Sequence, residues 1–186
     1  MNSLVINMQT LLSRLATTVL AATTLASTTL ATDQRAPEVP TTIAIDAGHR
    51  VSFHAYAEGV QIYVCVQNPT DPTKFSWVLK APEAVLFDSD GNVVGIHYGG
   101  PTWESNSGSI VVGVRVSGIN VDPTAIDWLK LRAGDTDGPG IFNRTTFIHR
   151  VNTVGGRAPA VATADDFGKE LRVPYTAEYF FYRAEN

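Results

Sequence analysis

The fold class of this chain is decided by two stretches, DGNVVGIHY at residues 90–98 and SIVVGVRV at residues 109–116. Apolar residues that recur with a period of two line one face of a β-strand. Asp-Gly between two alternating runs is a strong local signal for a hairpin. We therefore predict a turn at residues 90–92 and a strand over Val93–Tyr98. In the second stretch one face is predicted to be core, and the apolar face carries Ile110, Val112, Val114 and Val116.

The remainder of the chain after residue 41 is also read mostly as strands and turns. We predict strands over 43–56 and 60–66, separated by a hairpin at Glu58-Gly59, and over 75–80 and 84–88. The last two are split by Pro82, because proline cannot donate to a central ladder. Further strands are predicted over 145–153 and 175–183, whereas residues 123–131 fit either a short helix or a strand.

No stretch of ten or more residues keeps a convincing helical stripe, so we predict an all-β, mainly antiparallel fold. Some nine or ten short strands joined by Gly- and Pro-rich turns indicate a β-sandwich or a closed β-barrel. At most one or two short helices are expected. A hydrophobic content of 44% is enough for a packed core in one domain.

The N-terminus is typical of a cleavable secretion signal. Arg14 is the only charge in residues 1–32, and an apolar, threonine-rich run leads to Thr29-Leu30-Ala31, whose small residues fit signal peptidase. The threonines make a membrane-spanning helix a poor alternative. We predict a signal peptide over 1–31, cleaved near Ala31 or else at Ala26, a flexible linker over 32–41 and one β domain over 42–186. The protein is expected to be secreted or periplasmic, without a stable transmembrane anchor after processing.

Charge and motifs exclude several classes of function. With 14 Lys and Arg against 18 Asp and Glu, and no basic cluster, nucleic acid is not an expected partner. The chain has no Gly-x-Gly-x-x-Gly after a strand, no phosphate-binding loop and no Gly-x-Ser-x-Gly, so no cofactor is predicted. Its histidines lack the close spacing of familiar metal sites, and no metal is predicted. Cys65 is the only cysteine and excludes an internal disulfide; alternation places it on the face of Gln61 and Tyr63.

A candidate site lies in the Gly-rich stretch HYGGPTWE at residues 97–104. His97 could act as a general base or orient a ligand, and Glu104 could act as an acid or accept a hydrogen bond. Trp103 could stack on a ligand, with Tyr98 beside it.

The alternative for the same stretch is architecture. The glycines and Pro101 would form a corner, Trp103 would be core, and Glu104 would bind backbone amides or pair with Arg115 or Arg150.

Two classes of function remain open. The leading hypothesis is a binding or surface-associated module whose partner could be a small molecule or a surface glycan. The alternative is an extracellular hydrolase or other small-molecule enzyme that uses His97 and Glu104, with Lys80, Glu83 or Asp88 from neighbouring strands. A purely structural envelope component is a third possibility.

Five phrases in order carry a family resemblance: GVQIY at 59–63, APEA at 81–84, GPTWE at 100–104, RVNT at 150–153 followed by Gly-Gly, and VPYTAEYFFY at 173–182. Together they resemble the uncharacterised secreted family called domain of unknown function 3455. Members sometimes carry a malate dehydrogenase label, which the missing dinucleotide motif does not support here. The resemblance implies no catalytic residue.

One departure from the family pattern concerns cysteine. In the family a second cysteine commonly follows the Gly-Gly-x-Ala-Pro phrase, whereas AVAT follows it here at residues 160–163. If that cysteine pairs with the one matching Cys65, this chain has lost the bridge. The loss would leave the loop over 155–168 looser.

Overall fold

A computed structural model describes residues 35–185 as one antiparallel sheet that closes into a barrel. Each strand pairs with the next one along the chain, and the last strand returns to pair with the first, which removes both sheet edges. The all-β prediction is confirmed, in its barrel form. Short 3₁₀ turns occur at Thr41–Ile43 and Ala164–Asp166. The strands are β1 His49–Gln67, β2 Phe75–Phe87, β3 Val93–Tyr98, β4 Thr102–Ser105, β5 Ile110–Ile119, β6 Trp128–Asp137, β7 Phe147–Gly155 and β8 Glu170–Ala184.

Strands β1 and β2 are each continuous where the sequence predicted breaks. The predicted hairpin at Glu58-Gly59 is wrong, since Gly59 lies inside β1 and pairs with Ala84. A Cβ atom on Gly59 would lie 2.1 Å from the Glu83 carbonyl oxygen, so glycine serves a close approach of strands there. Pro82 lies inside β2, opposite Gln61 and near a register shift that follows Ile62. Proline is tolerated beside such an irregularity in the ladder.

The alternating apolar face of β5 is not the face that fills the core. Val114 and Val116 are 40% and 52% exposed, whereas Val111 and Gly113 are buried and face the barrel interior. A Cβ atom on Gly113 would lie 2.8 Å from Cζ3 of Trp103. The indole therefore occupies the interior volume that a larger side chain at residue 113 would need.

Other local predictions fared differently. The turn at residues 90–92 and the strand Val93–Tyr98 are confirmed, and Gly91 has the positive φ of 80° that favours glycine. In the ambiguous stretch 123–131, the residues from Trp128 onward form the start of strand β6. Strand β4 was missed because its four residues follow a Gly-Gly-Pro turn. No helix among residues 35–185 is long and apolar enough to cross a membrane.

The barrel interior holds the main core. One end is closed by mutual packing of Phe53, Phe142 and Phe181, whose ring centroids lie 4.5 to 5.9 Å apart. Farther along the interior, Trp103 packs edge-to-face on Tyr179 at 5.2 Å. The buried members of this core are Ala55, Ala57, Ala84, Leu86, Trp103, Val111, Leu129, Leu131, Phe142, Ile148, Tyr175, Ala177, Tyr179 and Phe181.

A second, smaller core lies between the outer face of the barrel and the segment that precedes β1, which we call the N-terminal strap (residues 39–46). Ile43 of the strap is fully buried against Val51, Val151, Phe180 and Tyr182. Val39, within the predicted linker 32–41, packs partly buried against the same cluster. The predicted signal peptide over 1–31 lies outside the described residues.

Polar contacts fasten the strap to the outer face. His149 lies beside Lys130 on neighbouring strands, and its Nε2–H donates to the Ile43 carbonyl at 2.6 Å. Its Nδ1 accepts from the Tyr182 hydroxyl at 3.0 Å. The Lys130 ammonium donates to the Ala44 carbonyl at 2.9 Å and to the Asp46 carboxylate at 3.0 Å. The buried polar groups named here therefore all have partners.

Candidate functional site

One end of the barrel is closed by the packed rings of Phe53, Phe142 and Phe181. The opposite end opens into a cavity of about 290 Å³, which we call the mouth cavity. Its polar wall comes from Gln61, His97, Trp103, Arg150 and Tyr179. These residues lie on β1, β3, β4, β7 and β8, so only barrel closure brings them together.

Apolar side chains form the rest of the wall. Leu79 and Pro82 come from β2, and Leu129 and Leu131 from β6. Leu79 is 49% exposed and lies at the rim. Mostly apolar walls with a few polar groups are typical of sites for small organic molecules.

Two hydrogen-bond donors of the wall are buried without an acceptor. Gln61 and Trp103 are each 1% exposed, and among residues 35–185 no acceptor lies in good hydrogen-bond geometry with Nε2 of Gln61 or Nε1 of Trp103, although the Gln61 side chain also interacts with the Tyr175 phenol. A buried donor left unpaired costs about 1–3 kcal/mol. A ligand oxygen in the cavity would supply the missing acceptor.

A fixed positive charge lies beside these donors. Arg150 pairs with Tyr179 across β7 and β8, and its Nε and Nη2 donate to the Asp127 carbonyl at 3.1 and 2.9 Å. Two bonds to one backbone oxygen hold the guanidinium plane in place. Within the described chain, no aspartate or glutamate side chain lines the cavity; Lys80 and Arg115 also line it, but each forms an ion pair, with Glu170 and with Asp127 respectively, so Arg150 is the cation that matters. The wall therefore favours an anionic or oxygen-rich ligand.

His97 is a neutral part of this wall. Its ring stacks on Trp103 with centroids 4.3 Å apart and planes 10° apart. Its Nδ1 lies 2.8 Å from the Thr102 carbonyl, which can only accept, so Nδ1 carries the proton and Nε2 is an acceptor. Burial lowers the pKa of His97 to about 3. The ring is thus uncharged at neutral pH and a weak base.

Two tyrosines complete the interior. The hydroxyls of Tyr175 and Tyr179 lie 3.4 Å apart, and the two residues are four positions apart on the same face of β8. Burial raises the pKa of both phenols, so both stay protonated. They are hydrogen-bond donors or acceptors and carry no charge.

The structure separates the two residues predicted to act together. His97 pairs with Trp103 on the inner face of the barrel wall, whereas Glu104 pairs with Ile96 on the outer face. Glu104 accepts a hydrogen bond from the Tyr98 hydroxyl at 3.0 Å, not from the arginines considered as its partners. His97 and Glu104 therefore cannot act as base and acid on the same substrate, because their side chains lie on opposite faces of the barrel wall. Of the four predicted site residues, His97 and Trp103 line the mouth cavity.

The additional residues of the enzyme hypothesis are also dispersed. Lys80 pairs with Glu170 at the exposed rim. Glu83 pairs with Arg172 at 2.7 Å on the outer surface. Asp88 accepts from the backbone and side chain of Asn92 in the turn before β3. None of the three carboxylate or ammonium groups is free to join His97.

Sequence reasoning missed Gln61, Arg150 and Tyr179 as site residues. Alternation correctly placed Gln61 with Tyr63 and Cys65 on one face, and all three are buried. A polar residue in a buried strand face was the available signal, but the strand pattern alone does not say which strands lie opposite.

Two further predictions concern cysteine and metals. Cys65 is buried and unbridged, and its backbone bonds to Gly168 and Lys169, next to the loop over 155–168. Over residues 35–185, no group of three or more His, Cys, Asp or Glu side chains is placed to hold a metal ion.

The fold and cavity define the chain as a closed, eight-stranded antiparallel barrel protein with a cation-bearing mouth. Residues 46–183 match the family described as Protein of unknown function (DUF3455), and the chain belongs to that family. Comparison with curated proteins and with solved structures found no match.

Proposed function

We propose that this protein is an exported binding module that takes a small organic acid with an apolar body into the mouth cavity. The observation that carries the proposal is a pair of buried donors, Gln61 Nε2 and Trp103 Nε1, that find no acceptor in good hydrogen-bond geometry among residues 35–185, in a cavity with a fixed Arg150 and no carboxylate from those residues in its wall. Export is proposed from the sequence of residues 1–31.

The residues that line the mouth cavity determine how the acid would bind. The carboxylate accepts from Gln61 Nε2 and faces the Arg150 guanidinium, because a charge-assisted bond is stronger than a neutral one. The apolar body packs against Leu129, Leu131 and the Trp103 ring. A volume of about 290 Å³ admits a molecule the size of a short aromatic or aliphatic acid.

Binding is favoured over catalysis by the chemistry of the same wall. A general base works best with a pKa near the working pH, whereas burial holds the pKa of His97 at about 3. Glu104, the second member of the enzyme hypothesis, faces the opposite side of the wall. The hydrolase alternative thus has no paired acid and base in the cavity.

The test is calorimetric titration of the protein with cinnamate, benzoate and hexanoate, each matched by its neutral amide. We expect saturable binding of at least one acid, at least tenfold tighter than its amide, because the amide lacks the charge that Arg150 recognises. Arg150→Gln should remove this preference. Arg132→Gln, which replaces an exposed arginine on β6, is the matched control and should leave it unchanged.

A second variant guards against misfolding of the first. Gln61→Glu keeps the shape of the side chain but places a carboxylate where the ligand acid would bind, and should abolish binding. The proposal is overturned if no acid saturates at millimolar concentration, or if acid and amide bind equally in all variants.

A further inference from the structure

A second cavity lies at the barrel end that Phe142 closes, away from the mouth. It measures about 240 Å³ and is lined by Arg50, Arg144, Thr146, Arg183 and Ala184. We call it the arginine pocket. Arg50 and Arg183 come from the outer ends of β1 and β8, and Arg144 from the loop before β7.

The charges of this pocket are unbalanced. No acidic side chain lines it, and in the described part of the chain none of its three arginines forms an ion pair. Arg50 and Arg183 lie directly opposite each other in the β1–β8 ladder. Like charges in such a pair destabilise a sheet. The repulsion between Arg50 and Arg183 is therefore unfavourable, and a bound anion would offset it.

An unpaired donor points to the same conclusion. Arg183 Nε is buried, and no acceptor lies within hydrogen-bond distance of it among residues 35–185. A buried N–H of a charged group without an acceptor is expensive. The donor and the unbalanced charge are independent observations about one pocket.

We propose that the arginine pocket binds the phosphate or sulfate group of a small molecule, at a site separate from the mouth cavity. Guanidinium forks match tetrahedral oxyanions in two-point hydrogen bonds. Three arginines offer more donors than one carboxylate can accept, which favours an anion with three or more oxygens. The pocket is also larger than such a group, which leaves room for part of the molecule that carries it.

The experiment is an NMR titration of the full protein that follows the arginine Nε–H resonances, with inorganic phosphate added at constant ionic strength set by sodium chloride. We expect a saturable shift of the Arg183 Nε–H signal, because this donor gains an acceptor. Sulfate should compete, and glucose 6-phosphate should bind more tightly if the pocket also holds the body of the ligand. Tighter inorganic phosphate would assign the site to the free ion.

Variants separate specific binding from general salt effects. Arg50→Gln and Arg183→Gln should each weaken phosphate binding at least tenfold, and Arg132→Gln should not. Without phosphate, Arg50→Gln should melt higher than the wild type, since a like-charge pair is removed. Sulfate and phosphate stabilise proteins generally by exclusion from their surfaces, and that effect should survive in both variants.

Several results would overturn the proposal. An Arg183 Nε–H signal that never saturates, or one that shifts equally with chloride, shows that the pocket has no site. Equal weakening by Arg132→Gln shows that binding is only diffuse attraction to surface charge. Arg150→Gln should retain phosphate binding, so loss of the organic-acid site and loss of this site are distinguishable.

Discussion

Two buried histidines, His97 and His149, lie on opposite faces of the same barrel wall and differ in their surroundings. His149, on the outer face, uses both ring nitrogens, one to the Ile43 carbonyl and one to the Tyr182 hydroxyl. His97, on the inner face, stacks on Trp103; among residues 35–185 one His97 nitrogen has a hydrogen-bond partner and the Trp103 N–H has none. Burial lowers the pKa of both imidazoles.

The difference separates a structural contact from a site. Complete pairing under the N-terminal strap leaves nothing for a ligand to satisfy, so that region fastens the strap to the barrel. Incomplete pairing in the mouth cavity is a cost that folding alone does not recover. It is expected where the partner arrives later, as part of a ligand.

The largest expected effect comes from breaking the paired region. His149→Leu introduces an apolar side chain of similar size and leaves the Ile43 carbonyl and the Tyr182 hydroxyl without their partner. We expect a loss of about 2–4 kcal/mol in the free energy of unfolding, because each buried group left unpaired costs about 1–3 kcal/mol. Urea denaturation measures it.

The control for this variant is His49→Leu, since His49 is not buried, its side-chain hydrogen bond among residues 35–185 goes to the Asp46 carbonyl at 3.1 Å, and leucine can keep the packing on Phe147, whose ring centroid lies 4.9 Å away. It should cost less than 1 kcal/mol, as surface substitutions usually do. A small effect of His149→Leu, equal to the control, would mean that the strap does not depend on this histidine. Binding at the mouth cavity should be unchanged in both.

The second effect is a loss of stability in acid. Burial holds the pKa of His97 near 3, whereas an unfolded histidine has a pKa of about 6.5. Between pH 6.5 and about 3, His97 therefore binds a proton in the unfolded chain but not in the folded protein. Stability falls as pH drops, by about 2 kcal/mol between pH 6.5 and 4.5 from this one group.

Urea denaturation of the wild type and of His97→Gln at pH 6.5 and 4.5 measures this difference, which should be about 2 kcal/mol smaller in the variant. Val114→Thr, at an exposed position of β5, removes no buried titratable group and should keep the wild-type difference. An unchanged difference in His97→Gln would show that His97 is protonated in the folded protein.

The smallest effect should have the opposite sign. Gln61→Leu removes the unpaired donor from the mouth cavity, so we expect the protein without ligand to gain about 1 kcal/mol. The same change should weaken binding of the organic acid in calorimetry. Greater stability with poorer binding is the expected relation at a functional site.

Gln67→Leu, on the same strand but exposed, is the matched control and should leave binding unaltered. If Gln61→Leu is destabilising instead, the amide has a structural role and the contrast between the two regions is smaller than proposed.

Much of the fold was predictable from local pattern. Period-two alternation identified β3 with its correct bounds, and Asp90-Gly91-Asn92 marked the turn before it. Errors arose where a residue type fits two kinds of local structure. Glycine fits both a turn and a close approach of two strands, and Gly59 was predicted to form a turn but permits close contact between β1 and β2.

The candidate site was half predictable. A Gly-rich stretch with aromatic and titratable residues pointed to His97 and Trp103, which line the mouth cavity. The same stretch suggested Glu104, which alternation sends to the outer face as soon as Thr102–Ser105 is a strand. Arg150 and Tyr179 could not be found, because they meet the others only across strands distant in sequence.

The sequence by itself determined that the chain is all-β, that it has no internal disulfide, and that it lacks the motifs of nucleotide chemistry. These properties depend on residue type and near-neighbour spacing. Tertiary structure alone decided that the sheet closes, that Val114 and Val116 face outward, and that Gln61 and Arg150 share a cavity. The physical reason is that closure and register are set by packing between strands far apart in the chain, with the Trp103 ring taking the space beside Gly113.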